Sequence, residues 1–118
     1  MIKGSCHCGA VTYEVDCLPE DFTDCNCSIC RRYGAWWAYY SPKQVRFSPA
    51  VPVTDVYIWG DKMLEFHRCR ACGCVTHWVS VDKTRDRMGV NARMMDLAVT
   101  KAVRVRRLDG ADTWEFLD

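Results

Sequence analysis

Cys6-His7-Cys8-Gly9-Ala10-Val11-Thr12-Tyr13-Glu14-Val15 sets a pair of thiols directly against an alternating stretch. Val11, Tyr13 and Val15 share one face and Thr12 and Glu14 the other, which is the period-2 pattern of a half-buried β-strand. On an extended chain residues i and i+2 point the same way, so Cys6 and Cys8 can aim both sulfurs at one ion. A strand that starts beside paired thiols reads as part of a small β domain pinned by metal.

The rest of the chain fits that reading. Ala35–Tyr40, Val53–Trp59, Met63–Arg68, Thr76–Val81, Arg87–Ala92 and Val103–Leu108 are rich in β-branched and aromatic residues. Gly60-Asp61 marks a hairpin between Val53–Trp59 and Met63–Arg68, and Asp109-Gly110 marks another that returns through Trp114 and Phe116. Leu18-Pro19-Glu20 and the stretch from Ser41-Pro42 to Val51-Pro52 read as surface turns. Helical periodicity is weak, confined to a short turn after Cys27 and a segment near Met94 to Ala98. The expected fold is a small, mostly antiparallel β domain, with little helix and with cysteines where strands meet turns. In Ala35–Tyr40, Trp37 and Tyr39 face one way and Trp36 and Tyr40 the other, so one aromatic face can pack in the core while the other walls a pocket or an interface.

Two further cysteine groups carry the chemistry. Cys69-x-x-Cys72-Gly73 has the spacing of a zinc knuckle, and with Cys6 and Cys8 it would complete a tetrahedral set of four. Cys25-x-Cys27-x-x-Cys30 combines both spacings and can place three sulfurs around a second ion. Cys74, Cys17, His67 and His77 are candidates to close that second site. If none does, three thiolates on Zn2+ leave a net charge of −1, which favours an incoming thiol over water as the activated ligand. Arg31, Arg32, Arg68 and Arg70 flank these groups and would offset thiolate charge, hold a substrate carboxylate, or simply lie in solvent. His7, between two ligands, points away from the metal, and His77 reads as a satisfied core histidine.

The composition narrows the function. A chain of 118 residues supports one domain around one core, here residues 1–118. Lys and Arg number 16 and Asp and Glu 15, a formal net charge of +1. Seven thiolates on two Zn2+ would bring it to −2. Neither value gives a case for nucleic acid or an anionic membrane as partner. No apolar run approaches the roughly 18 residues of a membrane span. Met1-Ile2-Lys3-Gly4-Ser5 runs into Cys6 without a charged and apolar leader. A cytoplasmic location is the expectation, and there the nine cysteines read as metal ligands rather than as a disulfide framework.

Gly4-Ser5-Cys6-His7-Cys8-Gly9-Ala10-Val11-Thr12-Tyr13 resembles the opening of the glutathione-dependent formaldehyde-activating enzyme family, which also includes centromere protein V. Cys25-Asn26-Cys27-Ser28-Ile29-Cys30-Arg31-Arg32-Tyr33-Gly34 resembles that family's second motif, and Cys69-Arg70-Ala71-Cys72-Gly73 its third. Val90-Asn91 and Leu108-Asp109-Gly110 are weaker matches. The resemblance implies a β-tent type fold related to methionine sulfoxide reductase B. It implies two Zn2+ per chain: a structural zinc on Cys6, Cys8, Cys69 and Cys72, and a catalytic zinc on Cys25, Cys27 and Cys30 with an open fourth position. It implies a carbon–sulfur lyase that joins glutathione to formaldehyde as S-(hydroxymethyl)glutathione, with a small-molecule thiol and aldehyde as partners. Cys74 stands where the family commonly has a small hydroxyl residue, and the chain is shorter than the founding enzyme.

Three functions follow for comparison. The first is addition of a thiol to formaldehyde or another small aldehyde at the triplet. The second is a β binding module for protein partners, which requires two closed zinc sites. The third is thiol redox chemistry on the spare Cys17 and Cys74.

Overall fold

The computed structural model describes residues 1–118. In chain order the elements are β1 (Ile2–Ser5), β2 (Thr12–Val15), β3 (Asp21–Cys25), the short helix α1 (Cys30–Tyr33), β4 (Trp37–Tyr40) and a 3-10 turn over Pro42–Gln44. There follow β5 (Val45–Ser48), β6 (Thr54–Tyr57), β7 (Leu64–Cys69), β8 (Val75–Ser80), β9 (Met88–Asn91), a 3-10 turn over Ala92–Met94, α2 (Leu97–Ala102) and β10 (Arg104–Leu108). The protein is mostly β with little helix, as its sequence leads one to expect. The strands form a three-stranded sheet, β1-β2-β5, and a seven-stranded sheet, β10-β3-β4-β9-β8-β7-β6.

The alternating stretch Thr12–Val15 lies between β1 and β5, opposite Ile2–Ser5 on one side and Val45–Ser48 on the other. Val11, Tyr13, Val15, Phe22, Ala38, Tyr40, Met88 and Val90 are buried together in the larger of two apolar clusters. The Tyr13 hydroxyl donates to the Asn91 carbonyl at 2.8 Å, so its polar end is satisfied inside that core.

Two expectations are corrected. The Ser41–Pro52 stretch is not all turn. Ser41 and Gln44 form a capping box around the 3-10 turn, and Val45-Arg46-Phe47-Ser48 then pairs with β2. Its alternation was masked by the prolines on either side. Cys6 and Cys8 lie in the turn after β1 rather than on a strand, where Gly9 donates to the Cys6 carbonyl at 3.2 Å and Cys6 donates to the Val11 carbonyl at 2.9 Å. The pairing is mostly antiparallel, as expected, with one exception. β3 runs parallel to β10, with Asp21 opposite Arg104 and Cys25 opposite Leu108. β3 itself carries Asp21 and Asp24, residues depleted in strands, yet Phe22, Thr23 and Cys25 are buried, and burial outweighs that propensity.

The expected hairpin at Gly60-Asp61 joins β6 to β7. After β10 the chain turns at Asp109-Gly110 and Phe116 bridges back to Leu108. The helical segment expected near Met94 to Ala98 is a 3-10 turn followed by α2, whose start is capped by the Asp96 carboxylate accepting from the Ala98 N–H.

Candidate active site and metal centres

Four sulfurs meet where two turns face each other. One turn carries Cys6 and Cys8. The other joins β7 to β8 and carries Cys69 and Cys72. All four Sγ atoms lie within 4.8 Å of one another, with Cys6–Cys8 and Cys8–Cys69 both at 3.7 Å. Sulfurs about 2.3 Å from a central zinc sit about 3.8 Å apart at the corners of a tetrahedron, so this spacing fits the ion. The β7–β8 turn has knuckle geometry. Cys69 donates to the Cys74 carbonyl at 2.8 Å and Gly73 to the Cys69 carbonyl at 2.9 Å. Gly73 has φ +78°, a backbone that a side chain would strain. The Cys74 and Cys8 backbone N–H groups aimed at Cys72 lower its thiol to about 6, and those of Cys72 and Ala71 lower Cys69. Such donors stabilise thiolates, the ligand form.

The second group stands at the other side of the sheet connections. Cys25 ends β3, Cys27 sits in the following turn, and Cys30 opens α1, which stops at Gly34. Their sulfurs also lie within 4.8 Å of one another. The Trp37 indole N–H donates to Cys30 Sγ at 3.3 Å and the Cys30 backbone N–H donates to Cys27 Sγ at 3.4 Å. The hydrogen bond from Cys30 lowers the Cys25 thiol to about 6 and raises that of Cys30, so the pair holds one proton between them. Cys25 and Cys30 are buried, whereas Cys27 is part-exposed. A soft, thiolate-rich trio that accepts several N–H bonds suits zinc.

None of the four candidates reaches the trio. Cys17 is exposed in the β2–β3 connection, its carbonyl accepting from the Tyr40 hydroxyl at 2.7 Å. Cys74 packs against the core that holds Cys6 and Cys69, with its sulfur 3.6 Å from the Val75 carbonyl. His77 is buried between the rings of Phe47 and His67, and its Nδ1 lies 2.7 Å from the Thr76 hydroxyl. His67 pairs the same way with Thr54 at 2.7 Å. No further histidine, cysteine or carboxylate joins either group.

In place of a fourth side chain the trio borders a cleft of about 900 Å³. Its floor is the smaller apolar cluster, in which Cys25 and Cys30 pack with Ala35, Trp37, Phe66 and Trp78. Trp37 and Tyr39 line this cleft while Trp36 and Tyr40 belong to the other core, the division expected from strand alternation. Of the arginines singled out from the sequence only Arg31 lines the cleft. Arg32 caps the Ser28 carbonyl at 2.8 Å, and Arg70 pairs with Asp55 at 3.2 Å on the surface.

The cleft also recruits residues that sequence reasoning missed. Arg87 lies over the Tyr39 ring, 4.4 Å from its centre, and Arg85 stands nearby on the β8–β9 connection. Arg31, Arg85 and Arg87 form no ion pair with any carboxylate, although six Lys or Arg pairs with carboxylates exist elsewhere. Asn26 holds the segment after β10 over the trio. Its side-chain N–H donates to Asp109 at 3.0 Å and its oxygen accepts from the Ala111 N–H at 2.9 Å. Its place inside the cysteine motif was the one available signal; the arginines gave none.

A mostly β domain with one set of four thiols and a second set of three at a cleft, each spaced so that it could hold a metal ion, defines the class of protein. The chain belongs to the glutathione-dependent formaldehyde-activating enzyme family, whose model matches residues 1–107. A crystal structure of a Rhodobacter sphaeroides protein is similar at 31% identity and TM-score 0.71, over 88% of this chain and 99% of that one. A Halomonas elongata protein, provisionally named a glutathione-dependent formaldehyde-activating enzyme, is 45% identical over 40 residues. That match spans 33% of this chain and 26% of the Halomonas protein. No helix is long and apolar enough to cross a membrane.

Proposed function

We propose that the protein is a zinc-dependent carbon–sulfur lyase that adds a thiol, glutathione or a relative, to formaldehyde or another small aldehyde. The observation that carries this reading is the open face of the Cys25–Cys27–Cys30 trio on the cleft, with Cys74, Cys17, His67 and His77 all occupied elsewhere. Cys25, Cys27 and Cys30 would hold the catalytic zinc and Cys6, Cys8, Cys69 and Cys72 the structural one. Bound at the trio, zinc would lower the pKa of an incoming thiol so that it is a thiolate near neutral pH.

The chain's own groups do the rest. Trp37 and the Cys30 backbone N–H fix the directions of two sulfurs. Arg31, Arg85 and Arg87, free of carboxylate partners, are available to the carboxylates of glutathione. Asn26 holds residues 109–111 against the trio, which limits water at the sulfurs. The substrate thiolate adds to the carbonyl carbon and the alkoxide takes a proton from water, which replaces the one the thiol gave up, giving a hemithioacetal. Because thiols and aldehydes combine unaided, alignment within the cleft supplies most of the acceleration.

The binding-module reading requires a closed second site, and the cleft at the trio weighs against it. The redox reading requires a reactive free thiol. Burial raises the Cys74 thiol, which weighs against that residue. The test is the rate of S-(hydroxymethyl)glutathione formation by zinc-loaded protein and by Cys27→Ser. A parent rate no greater than the uncatalysed one would end the formaldehyde reading. X-ray absorption with added glutathione supplies a second readout, in which the trio should gain a sulfur neighbour.

A further inference from the structure

We infer that the aldehyde taken at this site carries an alkyl or aryl body of several carbons, held by the apolar side of the cleft. The inference rests on the reading of the trio as the place where thiol meets aldehyde. It begins from a mismatch of size and character. Formaldehyde has two heavy atoms and occupies on the order of two water volumes, ~60 Å³. The cleft measures about 900 Å³, near the upper end of the roughly 300–1,000 Å³ that holds ligands of drug size.

A peptide thiol accounts for only part of that space. Its charged ends match Arg31, Arg85 and Arg87, which come from α1 and the β8–β9 connection. That leaves the contribution of the β6–β7 turn and the segment after β10. Trp59, Met63, Leu64, Phe66, Leu108 and Trp114 come from there and from the strands beside them. These six offer no charge and little hydrogen bonding; Asp61, the one charged side chain that this turn brings to the cleft, accepts from the Met63 N–H at 3.1 Å. Neither a polar tripeptide nor a hydroxymethyl group would cover them. Trp59, Met63 and Trp114 remain 41%, 48% and 68% exposed, large apolar groups gathered at the mouth of one cleft. Exposed apolar surface concentrated in this way marks a binding surface. A hydrocarbon chain or ring attached to the reacting carbon would cover it.

The chemistry is unchanged by the larger group. The thiol's S–H is lost, an S–C bond forms to the carbonyl carbon, and the carbonyl oxygen ends as a hydroxyl carrying that proton. Nothing is oxidised or reduced.

Stable mimics of the two products separate the possibilities. S-Methylglutathione presents a one-carbon group and S-hexylglutathione a six-carbon one. Their binding to the full chain is measured by isothermal titration and by tryptophan fluorescence. Each buried methylene contributes ~0.8 kcal/mol at most, so partial burial of the chain is expected to tighten S-hexylglutathione at least tenfold over the methyl form. Trp59→Ala with Met63→Ala, both at an exposed hairpin tip, should weaken the hexyl ligand more than the methyl one. Equal affinities, or equal losses in the double variant, would overturn the inference. In parallel, kcat/KM with glutathione should rise from formaldehyde to hexanal. A catalysed formaldehyde reaction with a flat or falling series overturns the inference and leaves the proposed function standing. Tight S-hexylglutathione binding with no catalysed addition to any aldehyde does the reverse: the apolar occupant stands and the reaction falls.

Discussion

Gly110 presses on Cys25. A methyl group at Gly110 would meet the Cys25 sulfur at 2.5 Å, closer than side-chain carbons approach a neighbour. The glycine is required by that contact. Gly110→Ala should therefore leave the backbone unstrained and push Cys25 out of line. Metal analysis is expected to show zinc retained at the four-thiol site and lost or weakened at the trio. Full zinc at both sites in the variant would refute this.

The two thiol groups differ in what they support. The four-thiol site ties the turn after β1 to the β7–β8 turn, and structural zinc of this kind contributes about 10 kcal/mol, as much as the whole stability of a typical domain. Cys72→Ser should give a chain without a cooperative thermal transition. Cys27→Ser alters a part-exposed sulfur at the cleft, and should keep the strand-type circular dichroism while losing catalysed addition.

Arg87 is braced by the Tyr39 ring and has no carboxylate of its own. Arg87→Met should raise KM for glutathione by about tenfold or more, the loss of one charged hydrogen bond of ~1.5–3 kcal/mol, with kcat nearly held. The same variant should differ little from the parent with 2-mercaptoethanol, which has no carboxylate. Equal losses with both thiols would assign Arg87 a purely structural role.

Asn26 both donates to Asp109 and accepts from Ala111. Asn26→Asp keeps the acceptor but sets a second carboxylate beside Asp109. Hydrogen exchange is expected to quicken at residues 109–111 and to stay unchanged in β8 and β9. Uniform exchange across the chain would contradict the clamp.

His77 is buried between Phe47 and His67, and burial lowers its pKa to about 3, helped by the charge His67 would carry. The unfolded chain binds that proton near pH 6.5. Between about 6.5 and 3 the unfolded state holds the extra proton, so stability falls as pH falls, by up to about 1.4 kcal/mol per pH unit. Burial lowers the His67 pKa as well, which acts in the same direction. In urea titrations, His77→Gln should show a shallower decline than the parent from pH 6.5 to 4. Parallel declines would place the acid sensitivity elsewhere.

Much of this architecture was legible in the sequence because its determinants are local. Cys69-x-x-Cys72-Gly73 specifies its turn by itself, and the alternation of Val11, Tyr13 and Val15 specifies a buried face. The opposed directions of Trp37 and Trp36 followed from strand geometry alone. What escaped was long-range. β3 was hidden by Asp21 and Asp24 because its reasons for being a strand are the neighbours β4 and β10. The partnership of Asn26 with residue 111 and of Arg87 with Tyr39 joins distant segments, and no spacing rule connects them. The open side of the trio was equally out of reach. Whether Cys74 closes it depends on which way the β7–β8 turn faces, and it faces the four-thiol group.

The parallel pairing of β3 with β10 bears on how the protein is made. Residues 21–25 stay without that neighbour until residues 104–108 have left the ribosome, and the first two thiols wait for Cys69 and Cys72. Synthesis at roughly 5–20 residues per second leaves a nascent chain of unpaired edges and unliganded sulfurs for several seconds. Contacts of such long sequence separation also slow folding. The four-thiol set is thus completed only after Cys72 is made, and the strand that ends at Cys25 gains its parallel neighbour later still.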